Sequence, residues 1–119
     1  MSTKHVMKLN ALPFEVTKTG LKTIEIRLND DKRRGVKPGD TIEFQKAGSG
    51  ELIQTKVISV RPYKTLHELT LKEDFSKTGG IYSNRTKWIE AINSYYSNED
   101  QMRFGFLSIE IAVPSTTLP

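Results

Sequence analysis

The sequence contains no cysteine, and that absence removes several chemistries at once. Disulfides, thiolate zinc sites and thiol nucleophiles are all excluded. Histidine is scarce, with only His5 and His67, so no metal site and no cofactor are expected. No apolar run approaches the roughly 18 residues needed to span a bilayer, so no membrane partner is expected. The opening MSTKHVMKLN lacks the apolar core of a secretory signal. With the missing cysteines, this gives a cytoplasmic location as the expectation.

Neither sign of charge is scarce. Eighteen Lys and Arg against fourteen Asp and Glu leave a formal charge of +4. A surface of that charge attracts phosphate backbones, although many proteins of similar charge bind no nucleic acid. The length of 119 residues fits one domain. A chain of that size buries roughly two-thirds of its unfolded surface, enough for a real core.

Hydrophobic periodicity organises the chain. HVMKLN (5–10) reads as a first strand. PFEVTKTG (13–20) reads as a short helix, with proline at its first position and Gly20 as its C-terminal cap. KTIEIRL (22–28) is the clearest strand, with Ile24, Ile26 and Leu28 on one face and Thr23, Glu25 and Arg27 on the other. NDDKRRGVKPGD (29–40) is a polar loop ending in a Pro38-Gly39 turn. TIEFQK (41–46) and LIQTKVISV (52–60) read as strands three and four, with Pro62 ending the run.

TLHELTL (65–71) opens on a Thr65–Glu68 capping box and reads as a helix. Residues 72–80 read as loop. SNRTKWIEAINSYYS (83–97) is the strongest helix, with Trp88, Ile89, Ile92 and Tyr96 as its apolar stripe. NEDQM (98–102) breaks it, and FGFLSIEIAV (104–113) reads as the last strand. The expected architecture is α+β: about five mostly antiparallel strands curled into a barrel, with two or three flanking helices. Residues 1–113 form the single domain, and 114–119 a frayed tail.

The chemistry concentrates in GLKTIEIR (20–27). Glu25 and Arg27 lie about 7 Å apart on one strand face, within reach of each other and of one ligand. Strict alternation places Lys22 on the opposite face, with Ile24. A rotation of the chain at Gly20 would bring it round, helped by its long stem. Two readings follow from the residues alone. One face of an antiparallel sheet is often solvated, and charges there need no function; or the three charges line a pocket.

The stretch Gly20-Leu21-Lys22-Thr23-Ile24-Glu25-Ile26-Arg27 resembles the G-x-K-x-x-E-x-R signature of ASCH domains at every fixed position. A preceding PF step, the following KPGDTIEF and the closing YYSNED…FGFLSIEI segment are similar to the family's landmarks, in its order. The resemblance is to a small single-domain member of the bacterial or phage type. It implies a PUA-like β-barrel whose cleft is lined by Lys22, Glu25 and Arg27, and a ligand that is RNA or nucleotide-like.

In such a cleft Arg27 offers a planar fork of donors and Lys22 a point charge. Glu25 can orient either cation, or act as a base if desolvated. Arg33 and Arg34 could extend a basic track for a phosphate backbone, or belong to a solvated loop balanced by Asp30 and Asp31. Tyr95 lies off the helix stripe and is free to stack on a base, whereas Trp88 and Tyr96 read as core. The alternative is a small hydrolase acting on a modified nucleoside or RNA, with Lys22 and Glu25 as its catalytic residues. A subgroup of the family resembles acetylcytidine amidohydrolases, but Glu25 stands here where those enzymes carry a threonine. A protein-interaction module is the third reading. The sequence leaves the oligomeric state open.

Overall fold

The computed structural model describes residues 2–113, so the tail at 114–119 lies outside the described residues. The order is β1 (Lys4–Leu9), α1 (Ala11–Lys18), β2 (Ile24–Leu28), β3 (Thr41–Lys46), β4 (Leu52–Tyr63), α2 (Leu66–Lys72), a 3-10 turn (Phe75–Lys77), α3 (Arg85–Tyr95), α4 (Asn98–Phe104) and β5 (Phe106–Ala112). The strands form one mixed sheet in the order β1-β3-β4-β5-β2. The β1–β3 pairing is parallel and the other three are antiparallel. This curled half-barrel with its helices is an α+β fold of the PUA-like barrel kind.

Two hydrophobic clusters hold it together. One gathers Met7, Leu9, Phe14, Val36, Ile42, Phe44, Val57, Leu107, Ile109 and Ile111 inside the curl of the sheet. The second gathers Ile24, Leu28, Leu69, Trp88, Ile92 and Phe106 between the other sheet face and helices α2 and α3. β2 sits between the two. Its Ile24, Ile26 and Leu28 pair with Glu110, Ser108 and Phe106, and its Glu25 and Arg27 with Ile109 and Leu107. Cross-strand partners share a face. The charged face of β2 therefore turns toward the interior cluster, and it is not the solvated face one reading allowed.

Several expectations need correction, and the first is that α1 starts at Ala11, so Pro13 is its third residue and not its first. Pro62 does not end the fourth strand, because β4 runs on to Tyr63. β3 pairs with β4 only over residues 52–56, and beyond that β4 has β5 alone beside it. A residue without an N–H is tolerated where one side of the strand is unpaired. Residues 98–102 are not a break but most of α4. Ser97 accepts from the Asp100 N–H, and Glu99 and Asp100 place negative charge at the helix start. The same Ser97 cap shortens α3 to Arg85–Tyr95, which Asn84 caps at its start. Among the described residues the helix count is four, one more than the upper expectation.

Candidate functional site

The site begins at a turn. Gly20 lies just past α1 with φ of +83°, a conformation that favours glycine, and donates to the Thr17 carbonyl at 3.0 Å. The chain then enters β2 through Lys22, which is not part of the strand. The Lys22 N–H donates to the Val16 carbonyl at 2.9 Å, and the residue forms an isolated bridge with Thr78. The neighbouring Gly79 makes room for it, because a Cβ there would lie 2.9 Å from the Lys22 Cβ. Because Lys22 precedes the β2–β5 ladder, strand alternation does not bind its side chain. Its Nζ reaches Glu25 Oε1 at 2.6 Å.

The other oxygen of Glu25 accepts from Arg27, Nε at 2.9 Å and Nη2 at 2.8 Å. Arg27 Nη2 also donates to the Lys8 carbonyl at 2.8 Å, reaching from β2 across to β1. Lys22 is 8% exposed and Glu25 5%. Burial pushes the Glu25 carboxyl pKa up, but the charges and hydrogen bonds of Lys22 and Arg27 outweigh it and hold it at about 2. Burial also works against the Arg27 charge, and the Glu25 carboxylate overcomes it, raising the pKa. The trio therefore carries two cations against one anion. Lys22 Nζ has one hydrogen-bond partner for its three protons, and Arg27 Nη1 has none among the described residues.

Beside the trio opens a cleft of about 320 Å³. That is at the small end of the roughly 300–1,000 Å³ usual for small-molecule sites. It runs along the outer edge of β2 and so touches both clusters: Leu9 and Pro13 on one side, Tyr82, Trp88, Ile92, Tyr95 and Tyr96 on the other. Trp88 is 2% exposed and packs against Phe75, so it is a core residue that also backs the cleft. Tyr95 is 61% exposed at the rim, its ring 6.4 Å from that of Tyr96. Tyr96 does more than its place on the stripe suggests: it packs edge-on to Phe106 and also lines the cleft. Burial raises the pKa of its hydroxyl, which keeps it a neutral donor.

Arg33 and Arg34 do not line this cavity. Arg33 pairs with Asp30 at 2.9 Å and Arg34 with Asp31 at 3.2 Å, each three residues back. Sequence reasoning missed Asn10 and Thr78, which line the cleft, and Lys8, which holds Arg27 through its carbonyl. No motif marks them, since they arrive from separate segments and only the topology brings them to β2. Among the described residues, no three metal-ligating side chains gather, and no helix is long and apolar enough to cross a membrane.

A curled mixed sheet with α1 packed on its inner cluster, α2 and α3 on the other face, and a cleft between its two outer strands is the arrangement of a PUA-like barrel. Within that class the chain belongs to the ASCH domain family, whose model matches residues 7–115. It is similar to the crystal structure of the hypothetical protein PH0355, at 32% identity and a TM-score of 0.82, over 92% of this chain and 98% of that one. It is also similar to the solution structure of protein PF0455 from Pyrococcus furiosus, at 29% identity and a TM-score of 0.75, over 94% and 98%. The ASCH domain from Lactobacillus crispatus shares the fold at 13% identity, with a TM-score of 0.60 over 92% and 79%. No curated protein matches the sequence.

Proposed function

We propose that the cleft binds a nucleotide-like ligand, free or as part of single-stranded RNA. The observation that carries this is a buried trio with an excess of cation, whose unused donors face an aromatic-lined cavity small enough to select a nucleoside-sized group. Arg27 takes a phosphate or carbonyl edge, and Lys22 adds a point charge. Glu25 orients both cations. Tyr95 supplies a stacking face at the rim. Arg33 and Arg34, each balanced by an aspartate, contribute only to the approach of a longer strand.

The geometry argues for binding over hydrolysis with Glu25 as base. A carboxylate held at about 2, with both oxygens already accepting from cations, is a poor acceptor for a proton from water. The test is a backbone-amide chemical-shift titration with mononucleotides and then a short single-stranded RNA. Shifts clustered at residues 20–34 and around Tyr95 are expected, and the more effective ligand tells monomer from chain. An unperturbed spectrum with every ligand would remove the cleft as a nucleotide site.

A further inference from the structure

β1 and β2 are the two outer strands of the sheet, and the cleft lies between them. The ladder fixes which backbone groups face that gap. The Ile111 N–H donates to the Thr23 carbonyl at 2.9 Å, and the Asn29 N–H to the Gly105 carbonyl at 3.0 Å. Residues of an antiparallel strand alternate between hydrogen-bonded and non-bonded pairs. Thr23 and Asn29 therefore place Glu25 and Arg27 in bonded pairs with β5. The N–H and C=O of Ile26 point the other way, toward the cleft. The same alternation on β1, where Leu9 serves the Ala47 N–H, turns the Lys8 carbonyl into the gap, and Arg27 takes it.

Ile26 is half-buried and lines the cleft, and its N–H and C=O have no partner among the described residues. A partly buried backbone pair of this kind is costly unless something completes it. The opening does not suit a docking peptide strand, which needs a continuous run of edge groups. Arg27 crosses the gap beside Ile26, and the bridge of Lys22 to Thr78 closes off the start of the strand.

We propose that the Ile26 main chain is the base-reading element of the cleft. Its N–H donates to a ring nitrogen of a nucleobase, and its C=O accepts from the adjacent exocyclic amine, a pattern that adenine and cytosine both carry. Selectivity then comes from the edge of the sheet, while Lys22 and Arg27 hold the anionic part. This rests on the nucleotide-like reading of the cleft given above.

The test is amide hydrogen exchange in the full chain, with and without saturating adenosine or cytidine monophosphate or a short single-stranded RNA. The Ile26 amide is expected to move downfield and to exchange at least about tenfold more slowly, as a newly made hydrogen bond requires. The already paired Glu25 and Arg27 amides should change far less. Capping the base with methyl groups on its amine should abolish the Ile26 effect. Ile26→Pro, tolerated on an edge strand because no ladder bond is lost, should fold and bind at least about tenfold more weakly. Binding with Ile26 exchange unchanged would overturn the main-chain reading and leave the cleft in place. No binding of any nucleotide or RNA would overturn both.

Discussion

Two ion networks centred on buried carboxylates sit on this sheet, and their difference separates the proposed site from a brace. On β2, Lys22 and Arg27 share Glu25. Across β4 and β5, Arg61 binds Glu73 through Nε at 2.8 Å and Nη2 at 2.7 Å, and Glu110 through Nη1 at 3.2 Å. Tyr63 donates to Glu73 as well. Burial raises the pKa of each central carboxyl, yet the cations and donors around it hold both Glu25 and Glu73 at about 2. The brace has two anions for one cation, and every nitrogen of its arginine is engaged. The β2 trio has the reverse excess, unused donors and a cavity beside it. A buried carboxylate is common to both networks; unused donors beside a cavity are what the proposed site has and the brace lacks.

The largest expected effect falls on the β2 trio. Glu25→Ala strands Lys22 and Arg27, both largely buried, and should cost about 3–5 kcal/mol in urea denaturation, whereas Glu73→Ala leaves the more exposed Arg61 still paired with Glu110 and should cost less. Equal costs would show that Glu110 does not support Arg61 once Glu73 is gone. A loss below about 1 kcal/mol for Glu25→Ala would mean that water already reaches the trio.

The pH dependence has a definite sign. Both carboxyls are depressed in the folded state, from 4.5 to about 2. Their contribution is complete above the unfolded pKa and is lost as pH falls from about 4.5 toward 2, by about 3 kcal/mol for each group at most. Denaturation curves across that window should steepen this loss in the wild type and flatten it in the Glu25→Gln, Glu73→Gln double variant.

Smaller effects sharpen the cleft's outline. Tyr95→Ala should weaken ligand binding by about 1–3 kcal/mol, measured by anisotropy, and leave stability within about 0.5 kcal/mol. Reversing Arg33 and Arg34 to glutamate should have the least effect, shifting the salt slope of RNA binding by less than about one unit. A larger drop would put the loop in the site.

How much of this was legible in the sequence depended on where the partners of each residue lie. The β2 strand and its three charges could be read from alternation and from the signature in residues 20–27. The burial of both faces of β2 could not, because its covering residues come from 8–13 and 78–96. Lys22 looked misplaced only while it was counted as a strand residue; the Thr78 bridge and the Val16 carbonyl show that it stands before the ladder. Tyr95 and Tyr96 are adjacent, and periodicity put only the second in the core. It could not show that the same ring also borders a cavity. Ser97 was readable as a cap in principle, since Asp100 follows three residues on, but the polar run after it masked α4.

The most direct test compares Lys22→Met with Arg61→Met, each removing a cation from one network, in binding to a short single-stranded RNA and to mononucleotides. Lys22→Met is expected to lose at least about tenfold in affinity, in line with a lost charge-assisted hydrogen bond, and folded Arg61→Met to keep its affinity unchanged. Equal affinities in both variants and the wild type would contradict the proposed site.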